Sequence, residues 1–326
     1  MTSFVQVTGL TRRFDVSKPF LNRVIERLPR RFLVAVSDVS LQIEQGSVYA
    51  LVGESGSGKS TIGRMIAGLL RPSEGQVTVA GADVHAPAPG TPRPAIQMIF
   101  QDPYASLNPR WRVRHIICEP VVVAGRPTEG VAERLLEQVG LSAADADRYP
   151  HEFSGGQRQR ICIARALAAE PRLIICDEPT SALDVSVQAQ VLNLMSDLRD
   201  DLGLTYMLIS HDLTVVRHMA DRIGVLYLGR LMEEAAPADL FERPRHPYTR
   251  MLLAAAPLID GARREIDIPP GEVPDPIDPP TGCAFHPRCP FATDLCKTTR
   301  PALRDLDGTR VACHWTEEIA ADAPLI

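Results

Sequence analysis

The sequence predicts an α/β domain in which buried strands alternate with helices. Short apolar runs end in glycine, acidic or other polar residues, which is typical of strands buried on both faces. These runs lie at 47–52, 95–100, 172–178 and 204–209. Apolar residues recur at helical spacing after some of them, for example at 61–70 and at 161–168. Alternating strands and helices favour a parallel sheet with helices packed on its faces.

The N-terminal region contains further strand signals. Apolar and polar residues alternate in 4–8, which predicts an edge strand, and 34–43 also has strand character. Between them, 15–31 places apolar residues at helical spacing with basic residues among them. This segment is either an amphipathic helix on a membrane or partner surface, or a solvated insertion packed on the domain, which we favour.

The composition of the whole chain limits the classes of protein and the cellular locations to be considered. The 326 residues are 45% hydrophobic and carry a formal net charge of -5. An acidic balance argues against a nucleic-acid binder, and we predict no nucleic-acid partner. We expect a protein that is made in the cytosol and reaches a membrane only through a partner, because the sequence shows neither a membrane span nor a signal peptide. Cys118, Cys162 and Cys176 stand in apolar stretches and are predicted core residues.

A glycine-rich loop follows the run at 47–52 and fits the pattern G-x-x-x-x-G-K-[ST] of phosphate-binding loops. Its residues are Gly53, Glu54, Ser55, Gly56, Ser57, Gly58, Lys59, Ser60 and Thr61. Backbone N–H groups in such a loop point at phosphate oxygens, and the helix that follows adds its positive end. We expect Lys59 to reach the β- and γ-phosphates and Ser60 to ligate Mg²⁺. A glycine-rich turn that binds nothing is the alternative.

Two carboxylates end the apolar run at 172–178. Ligands of open α/β sheets bind at the carboxyl ends of the strands. We therefore expect Asp177 to hold the Mg²⁺ shell and Glu178 to accept a proton from the attacking water. A pair of solvated carboxylates is the alternative. His211 follows the strand at 204–209 and is a further candidate for the same edge of the sheet.

The segment from Phe153 to Gln157, followed by Arg158-Gln159-Arg160, resembles the signature of ABC-type ATPases. Phe153 stands where Leu is the common choice. Together with the elements above, six motifs stand in the order of this family. They are the phosphate loop, Gln101 after the strand at 95–100, Phe153–Gln157, Asp177-Glu178, Ser181–Asp184 and His211. The resemblance covers about 4–240.

The resemblance implies an ABC-type P-loop ATPase domain with a RecA-like core, an antiparallel β subdomain and a helical subdomain at about 102–165. It implies ATP and Mg²⁺ as cofactors. Phe14 would stack on adenine, Gln101 would touch Mg²⁺ and water, and His211 would contact the γ-phosphate. Donors that close on the ATP of a second subunit would be Ser154, Gly155, Gly156 and Gln157. Asp184 would belong to the loop that joins the two sites.

Two segments resemble the peptide-importer subfamily, which serves oligopeptide, dipeptide and nickel uptake. They are Asp102–Arg110 and His246–Thr249. The resemblance implies a second ATPase subunit, two transmembrane permease subunits and, indirectly, an extracytoplasmic substrate-binding protein, with this chain peripheral at the cytoplasmic face of the membrane. Alternatives are a soluble ABC ATPase that acts on nucleic acid or ribosomes, an exporter, a subunit with a dead site, and an importer of nickel or opine-type substrates.

We predict an ATPase domain at 1–257 and, at 258–326, a proline-rich linker with a small irregular extension. The extension holds Cys283, Cys289, Cys296 and Cys313. Four thiols in a cytosolic protein suggest a metal or cluster site, although their spacing differs from common zinc modules. The resemblance implies a [4Fe–4S] cluster, and zinc or unligated thiols are the alternatives.

Overall fold

The computed structural model of the protein describes residues 3–27, 29–90, 94–255 and 272–322. Its strands are β1 (Val5–Asp15), β2 (Phe32–Ile43), β3 (Val48–Val52), β4 (Glu74–Val79), β5 (Ala82–Asp83), β6 (Ile96–Ile99), β7 (Leu173–Asp177), β8 (Thr205–Ile209), β9 (Arg222–Tyr227), β10 (Arg230–Ala235), β11 (Arg304–Leu306) and β12 (Thr309–Val311). Its α-helices are α1 (Phe20–Ile25), α2 (Lys59–Ile66), α3 (Pro103–Ser106), α4 (Val113–Val123), α5 (Val131–Gln138), α6 (Gly155–Leu167), α7 (Val185–Leu202), α8 (Leu213–Met219), α9 (Pro237–Glu242), α10 (Pro247–Ala255), α11 (Asp294–Thr298) and α12 (Thr316–Asp322). The four strands predicted from the apolar runs correspond to β3, β6, β7 and β8.

The chain folds as two compact units, each built from separate segments. The first unit comprises the described parts of residues 1–5, 43–48 and 79–210. In it, β7 pairs in parallel with β6 on one side and β8 on the other. Every residue of β7 and β8 is buried, as expected for parallel strands covered on both faces. Helices α3, α4 and α5 lie within the predicted helical segment at about 102–165, and α6 ends two residues beyond it. Helices α4, α5 and α6 pack on one another.

The second unit comprises the described parts of residues 6–42, 49–78 and 211–326. Its larger sheet has the order β11–β12–β10–β9–β3. Here β3 and β9 are parallel, whereas the other neighbours are antiparallel. The tail hairpin of β11 and β12 therefore extends the sheet that supports the phosphate loop.

A smaller sheet of the second unit has the order β2–β1–β4. The prediction of an edge strand at 4–8 is therefore wrong, because β1 has a neighbour on each side. Val5 and Val7 are buried while Gln6 and Thr8 are exposed. Such alternation indicates one buried and one exposed face, which a central strand shows as well when only one side of its sheet is covered.

Several other predictions can be placed in the structure. The insertion at 15–31 contains the short helix α1, where Ile25 is exposed. The side chains of Phe20, Leu21, Val24 and Leu28 lie outside the described part. Cys118, Cys162 and Cys176 are buried, which confirms them as core residues. The predicted boundary at 257/258 and the start of the linker lie outside the described residues, so this division of the chain stays a prediction. No helix among the described residues has the length and apolar character of a membrane span.

Candidate nucleotide site

The phosphate loop joins the buried strand β3 to α2 through backbone conformations that need glycine. Gly53 and Gly58 have φ angles of 146° and 101°. A side-chain carbon at Gly53 would overlap the carbonyl oxygen of Leu226, and one at Gly58 would overlap that of Ala35. The loop is therefore clasped between the end of β9 and strand β2. The close approach of these carbonyl groups and the positive φ angles are two separate reasons for glycine at both positions.

Lys59 points back over the loop that precedes it. The residue is 6% exposed, and its Nζ donates hydrogen bonds to the carbonyl oxygens of Gly53 (2.8 Å) and Glu54 (2.9 Å). The hydroxyl of Ser57 is buried in the same loop and has no hydrogen-bond partner among the described residues. A buried ammonium and an unsatisfied hydroxyl at a helix N-terminus fit a phosphate ligand, which accepts hydrogen bonds and carries negative charge.

The remaining loop residues differ in their exposure to solvent. Ser55 and Gly56 are exposed at the tip of the loop, whereas Ser60 and Thr61 are half-buried in the first turn of α2. Ser60 directly follows Lys59 and therefore lies at the positive end of the helix, where a nucleotide's phosphates and their metal would bind.

Glu54 is held by two residues from outside the loop, a contact that the sequence did not predict. Its backbone N–H donates to the hydroxyl of Tyr248 at 2.9 Å. Its carboxylate accepts two hydrogen bonds from the guanidinium of Arg288, at 2.8 and 3.0 Å. This hydrogen bonding to Glu54 raises the pKa of Arg288 above its ordinary value. Only the motif around Tyr248 carried a sequence signal, and that signal indicated a subfamily rather than a contact.

Phe14 and His211 lie in the same unit as the loop. Phe14 is half-buried near the end of β1, and the Arg12 guanidinium lies 4.6 Å from the centre of its ring. One face of this ring is therefore already covered by a cation. His211 is exposed, two residues before α8 begins.

The first unit carries the two carboxylates at the end of β7. Asp177 is 5% exposed, and Glu178 has a φ angle of 50°, which is uncommon for a residue with a side chain. The Glu178 N–H donates to the carbonyl of Ile209 at 2.9 Å, which fixes this conformation. The Gln101 amide donates to the Glu178 carboxylate at 2.8 Å. The structure thus brings together two of the three predicted catalytic residues, Gln101 and Glu178, within one unit.

The signature segment forms the start of α6. Ser154 and Gln157 make a capping box, in which the Gln157 N–H donates to the Ser154 hydroxyl (3.3 Å) and the Ser154 N–H donates to the Gln157 side chain (3.0 Å). A side-chain carbon at Gly156 would overlap Val187, whereas one at Gly155 would make an ordinary contact with Leu183. Both neighbours belong to α7 or the loop before it.

Asp184 caps the N-terminus of α7. Its carboxylate accepts hydrogen bonds from the backbone N–H of Val187 (3.0 Å) and the hydroxyl of Ser186 (2.7 Å). The Val187 bond is the largest cause that lowers the pKa of Asp184. The predicted loop residue therefore fixes the helix against which the signature glycines pack.

The four tail cysteines line one small cavity of about 20 Å³. None of the four forms a disulfide. Burial raises the pKa of the Cys289 thiol to about 12 and that of Cys313 to about 11. Thiolates at these positions therefore need a cationic partner. Within the described ranges, no three His, Cys, Asp or Glu side chains are arranged to hold a single metal ion.

Comparisons with known proteins identify the family of this chain. Residues 36–181 match the family model "ABC transporter", and residues 232–296 match "Oligopeptide/dipeptide transporter, C-terminal region". The chain is 49% identical over 292 residues to the oligopeptide transport ATP-binding protein AppF of Bacillus subtilis, covering 86% of this chain and 89% of AppF.

Two solved structures share the fold. One is the ATP-binding cassette MJ0796, a dimer in a post-hydrolysis state bound to ADP and Pi, with a TM-score of 0.61 and 28% identity over 72% of this chain and 98% of that chain. The other is cbiO1 from Clostridium perfringens, part of the ABC transporter complex cbiONQ, with a TM-score of 0.62 and 26% identity over 74% of this chain and 91% of that chain. The predicted ABC-type ATPase fold is confirmed. The chain belongs to the ATP-binding proteins of ABC transporters, and it carries the C-terminal region of their oligopeptide and dipeptide members.

Proposed function

We propose that this chain is the ATP-hydrolysing subunit of an ABC importer that takes up di- or oligopeptides, or related small solutes, across the cytoplasmic membrane. The observation that carries the proposal is the match at 232–296 to the oligopeptide and dipeptide transporter region, in a chain that also holds the ATPase motifs. The likeness to AppF, named as an oligopeptide transport protein, supports the same substrate class.

The residues of the site support hydrolysis of ATP. Phosphoryl transfer needs positioning and stabilisation of charge rather than covalent chemistry. Bound Mg²⁺-ATP supplies the phosphoanhydride bond and the metal charge that offsets its negative oxygens. Lys59 would hold the β- and γ-phosphates, and His211 would contact the γ-phosphate. Glu178 would accept the proton of the attacking water at its carboxylate, held by Gln101. Residues that would hold Mg²⁺ are Ser60, Gln101 and Asp177.

The signature supports a site shared by two subunits. Ser154, Gly155, Gly156 and Gln157 would close on the ATP bound by a second ATPase subunit, either a related chain or a second copy. MJ0796, which is dimeric in its post-hydrolysis structure, supports such pairing. Two permease subunits would anchor the pair at the cytoplasmic face of the membrane, with a substrate-binding protein on the other side. Phe14 would offer adenine the ring face that Arg12 leaves open.

Purification from the native host tests this function. We expect the tagged chain, extracted from membranes with detergent, to bring down permease subunits and a second ATPase subunit. Deletion of the gene should abolish uptake of labelled di- or oligopeptides, and the wild-type gene should restore it while Lys59→Ala should not. Recovery with ribosomes or nucleic acid, together with normal peptide uptake in the deletion strain, would instead support the soluble ATPase alternative.

For the tail, we propose that Cys283, Cys289, Cys296 and Cys313 hold a [4Fe–4S] cluster. Their common cavity supports a shared ligand. Zinc at 2.3 Å from four sulfurs would need those sulfurs about 3.8 Å apart around one point. A [4Fe–4S] cluster would bind each of the four sulfurs through a different iron, so the four thiols need not converge on one ion.

Purification without oxygen tests the cluster. We expect a brown protein with iron and acid-labile sulfide in about a four-to-four ratio, as the formula requires. Cys289→Ser should lose the colour, whereas Cys118→Ser, which changes a buried cysteine outside the cavity, should keep it. A colourless wild type with stoichiometric zinc would support the zinc site, and a colourless, metal-free protein would support free thiols.

A further inference from the structure

Glu54 is the one residue of the phosphate loop that carries a negative charge, and the second unit holds it from two sides. The Tyr248 hydroxyl accepts its backbone N–H, and Arg288 binds both carboxylate oxygens. Arg288 lies 234 positions further along the chain, in the tail. A bidentate pair between a guanidinium and a carboxylate fixes orientation as well as charge.

Arg288 is buried and packs against several side chains. The side chain is 7% exposed. Its guanidinium lies 5.9 Å from the ring centres of both Tyr227 and Phe285 and approaches the sulfur of Met251 at 3.6 Å. The rings of Tyr227, Tyr248 and Phe285 pack on one another within 5.4 Å. These contacts hold the Arg288 guanidinium in one position and one orientation.

The Arg288–Glu54 pair has a specific consequence for a loop that must receive phosphates. A nucleotide brings several negative charges to the loop, and a carboxylate at its first variable position would repel them. The Glu54 side chain is only 26% exposed, so water screens its charge incompletely. Arg288 neutralises this charge and turns the carboxylate toward the tail. The hydrogen bond to the Tyr248 hydroxyl fixes the direction of the Glu54 backbone N–H.

We propose that Arg288 is a positioning residue for nucleotide binding, through which the tail holds Glu54 neutralised and directed away from the phosphates. The inference rests on the ATP site proposed above. It assigns to the C-terminal extension a direct action on the ATP affinity of its own subunit. Arg288 also directly precedes Cys289, so the contact begins at the edge of the cysteine cavity.

Five variants of the full-length chain test the proposal by titration with a fluorescent ATP analogue and by steady-state ATP hydrolysis. Arg288→Ala should raise the Kd and the KM for nucleotide about tenfold while kcat changes less than about threefold. Arg288→Lys keeps the charge but not the bidentate geometry, so its Kd should lie between those of wild type and Arg288→Ala. Arg304→Ala is the matched control, because it removes an exposed tail arginine paired with Glu317. Its Kd should equal that of the wild type.

The other two variants, Glu54→Gln alone and Glu54→Gln combined with Arg288→Ala, separate the effect of charge from an effect on folding. If Arg288 acts by offsetting Glu54, adding Arg288→Ala to Glu54→Gln should change the Kd less than about twofold, since no carboxylate remains to be neutralised. An equal loss of affinity in both backgrounds would overturn the proposal, as would wild-type affinity in folded Arg288→Ala and Arg288→Lys. Failure of the ATP site itself would show differently, because the wild type would then not bind the analogue.

Discussion

The side-chain amide of Gln101 donates to the carboxylate of Glu178 at 2.8 Å. Gln101 follows β6, Glu178 follows β7, and these two strands are parallel neighbours, so their carboxyl ends lie together at one edge of the sheet. The left-handed backbone of Glu178 is fixed by a hydrogen bond to Ile209 at the end of β8. Three adjacent strands thus hold one carboxylate, the kind of overdetermined position that functional residues occupy.

We expect Glu178→Gln to keep nucleotide binding and to lose hydrolysis. The glutamine carbonyl can still accept the hydrogen bond from Gln101, so the ground-state geometry should persist, but an amide cannot take a proton from water. Phosphate release should fall by about 10² to 10⁴, the contribution of a positioned general base. Glu317→Gln, at an exposed glutamate of the tail, is the control and should hydrolyse ATP normally. Wild-type turnover in Glu178→Gln would rule out Glu178 as the base.

Lys59→Ala should lose most of its affinity for ATP. The ammonium is buried and is held by two loop carbonyls, so its removal takes away a preorganised charge that would face the phosphates. Losing such a partner costs about 2–5 kcal/mol, or a rise in Kd of roughly 30-fold or more. Isothermal titration calorimetry measures the Kd for ATP. The control is Lys297→Ala, which removes an exposed lysine paired with Asp294. An unchanged Kd would contradict the predicted role.

The parts predicted well from sequence are those that short-range patterns determine. The phosphate loop, β3, β7 and β8 follow from apolar runs and glycine spacing, and each of the six motifs spans only a few consecutive positions. Such signals depend on neighbours along the chain. They were sufficient to predict the family of the chain and the order of its motifs.

Contacts between distant positions could not be predicted in this way. No local pattern pairs Arg288 with Glu54 or places β12 beside β10, because each partner has several chemically equivalent choices in the sequence. The alternation of β1 likewise reports the burial of its faces and carries no information about its neighbours in the sheet. The positive φ angle of Glu178 could not be predicted for a further reason. It is imposed by the hydrogen bond to Ile209 at the end of β8, against the conformational preference of glutamate.

The two signature glycines should differ sharply when changed to alanine. A side-chain carbon at Gly156 would overlap Val187 of α7, whereas at Gly155 it would meet Leu183 at an ordinary 3.4 Å. Gly156→Ala should therefore cost about 1–3 kcal/mol, as overpacking does, while Gly155→Ala should be neutral or slightly stabilising within a helix.

Thermal unfolding measures this difference in stability. Adding Val187→Ala to Gly156→Ala removes the methyl group that the new side chain meets, so it should recover part of the loss. Equal melting temperatures for Gly155→Ala and Gly156→Ala would mean that α6 and α7 pack differently from the arrangement seen here.

His246 is buried and must be neutral in the folded protein. Its Nδ1 accepts the backbone N–H of Tyr248 at 3.0 Å, and its own backbone N–H donates to the Glu233 carboxylate at 2.8 Å. Burial lowers the pKa of His246 to about 3. The unfolded chain protonates this residue near pH 6.5, so between these two values the unfolded state binds a proton that the folded state does not. Stability due to His246 is therefore complete above about pH 6.5 and is lost as the pH falls toward 3.

Lowering the pH from 7.5 to 5 should reduce the free energy of unfolding by about 2 kcal/mol through His246 alone. His246→Asn is the test, because an asparagine side chain can accept the same N–H two residues on but does not titrate. Urea titrations at the two pH values should give a larger loss for the wild type than for His246→Asn by about that amount. Other titrating groups, including Glu233, are common to both proteins and cancel in the difference. Iron and zinc must be assayed in each sample, so that equal metal content is known. Parallel pH profiles at equal metal content would show that His246 does not remain neutral in the folded chain.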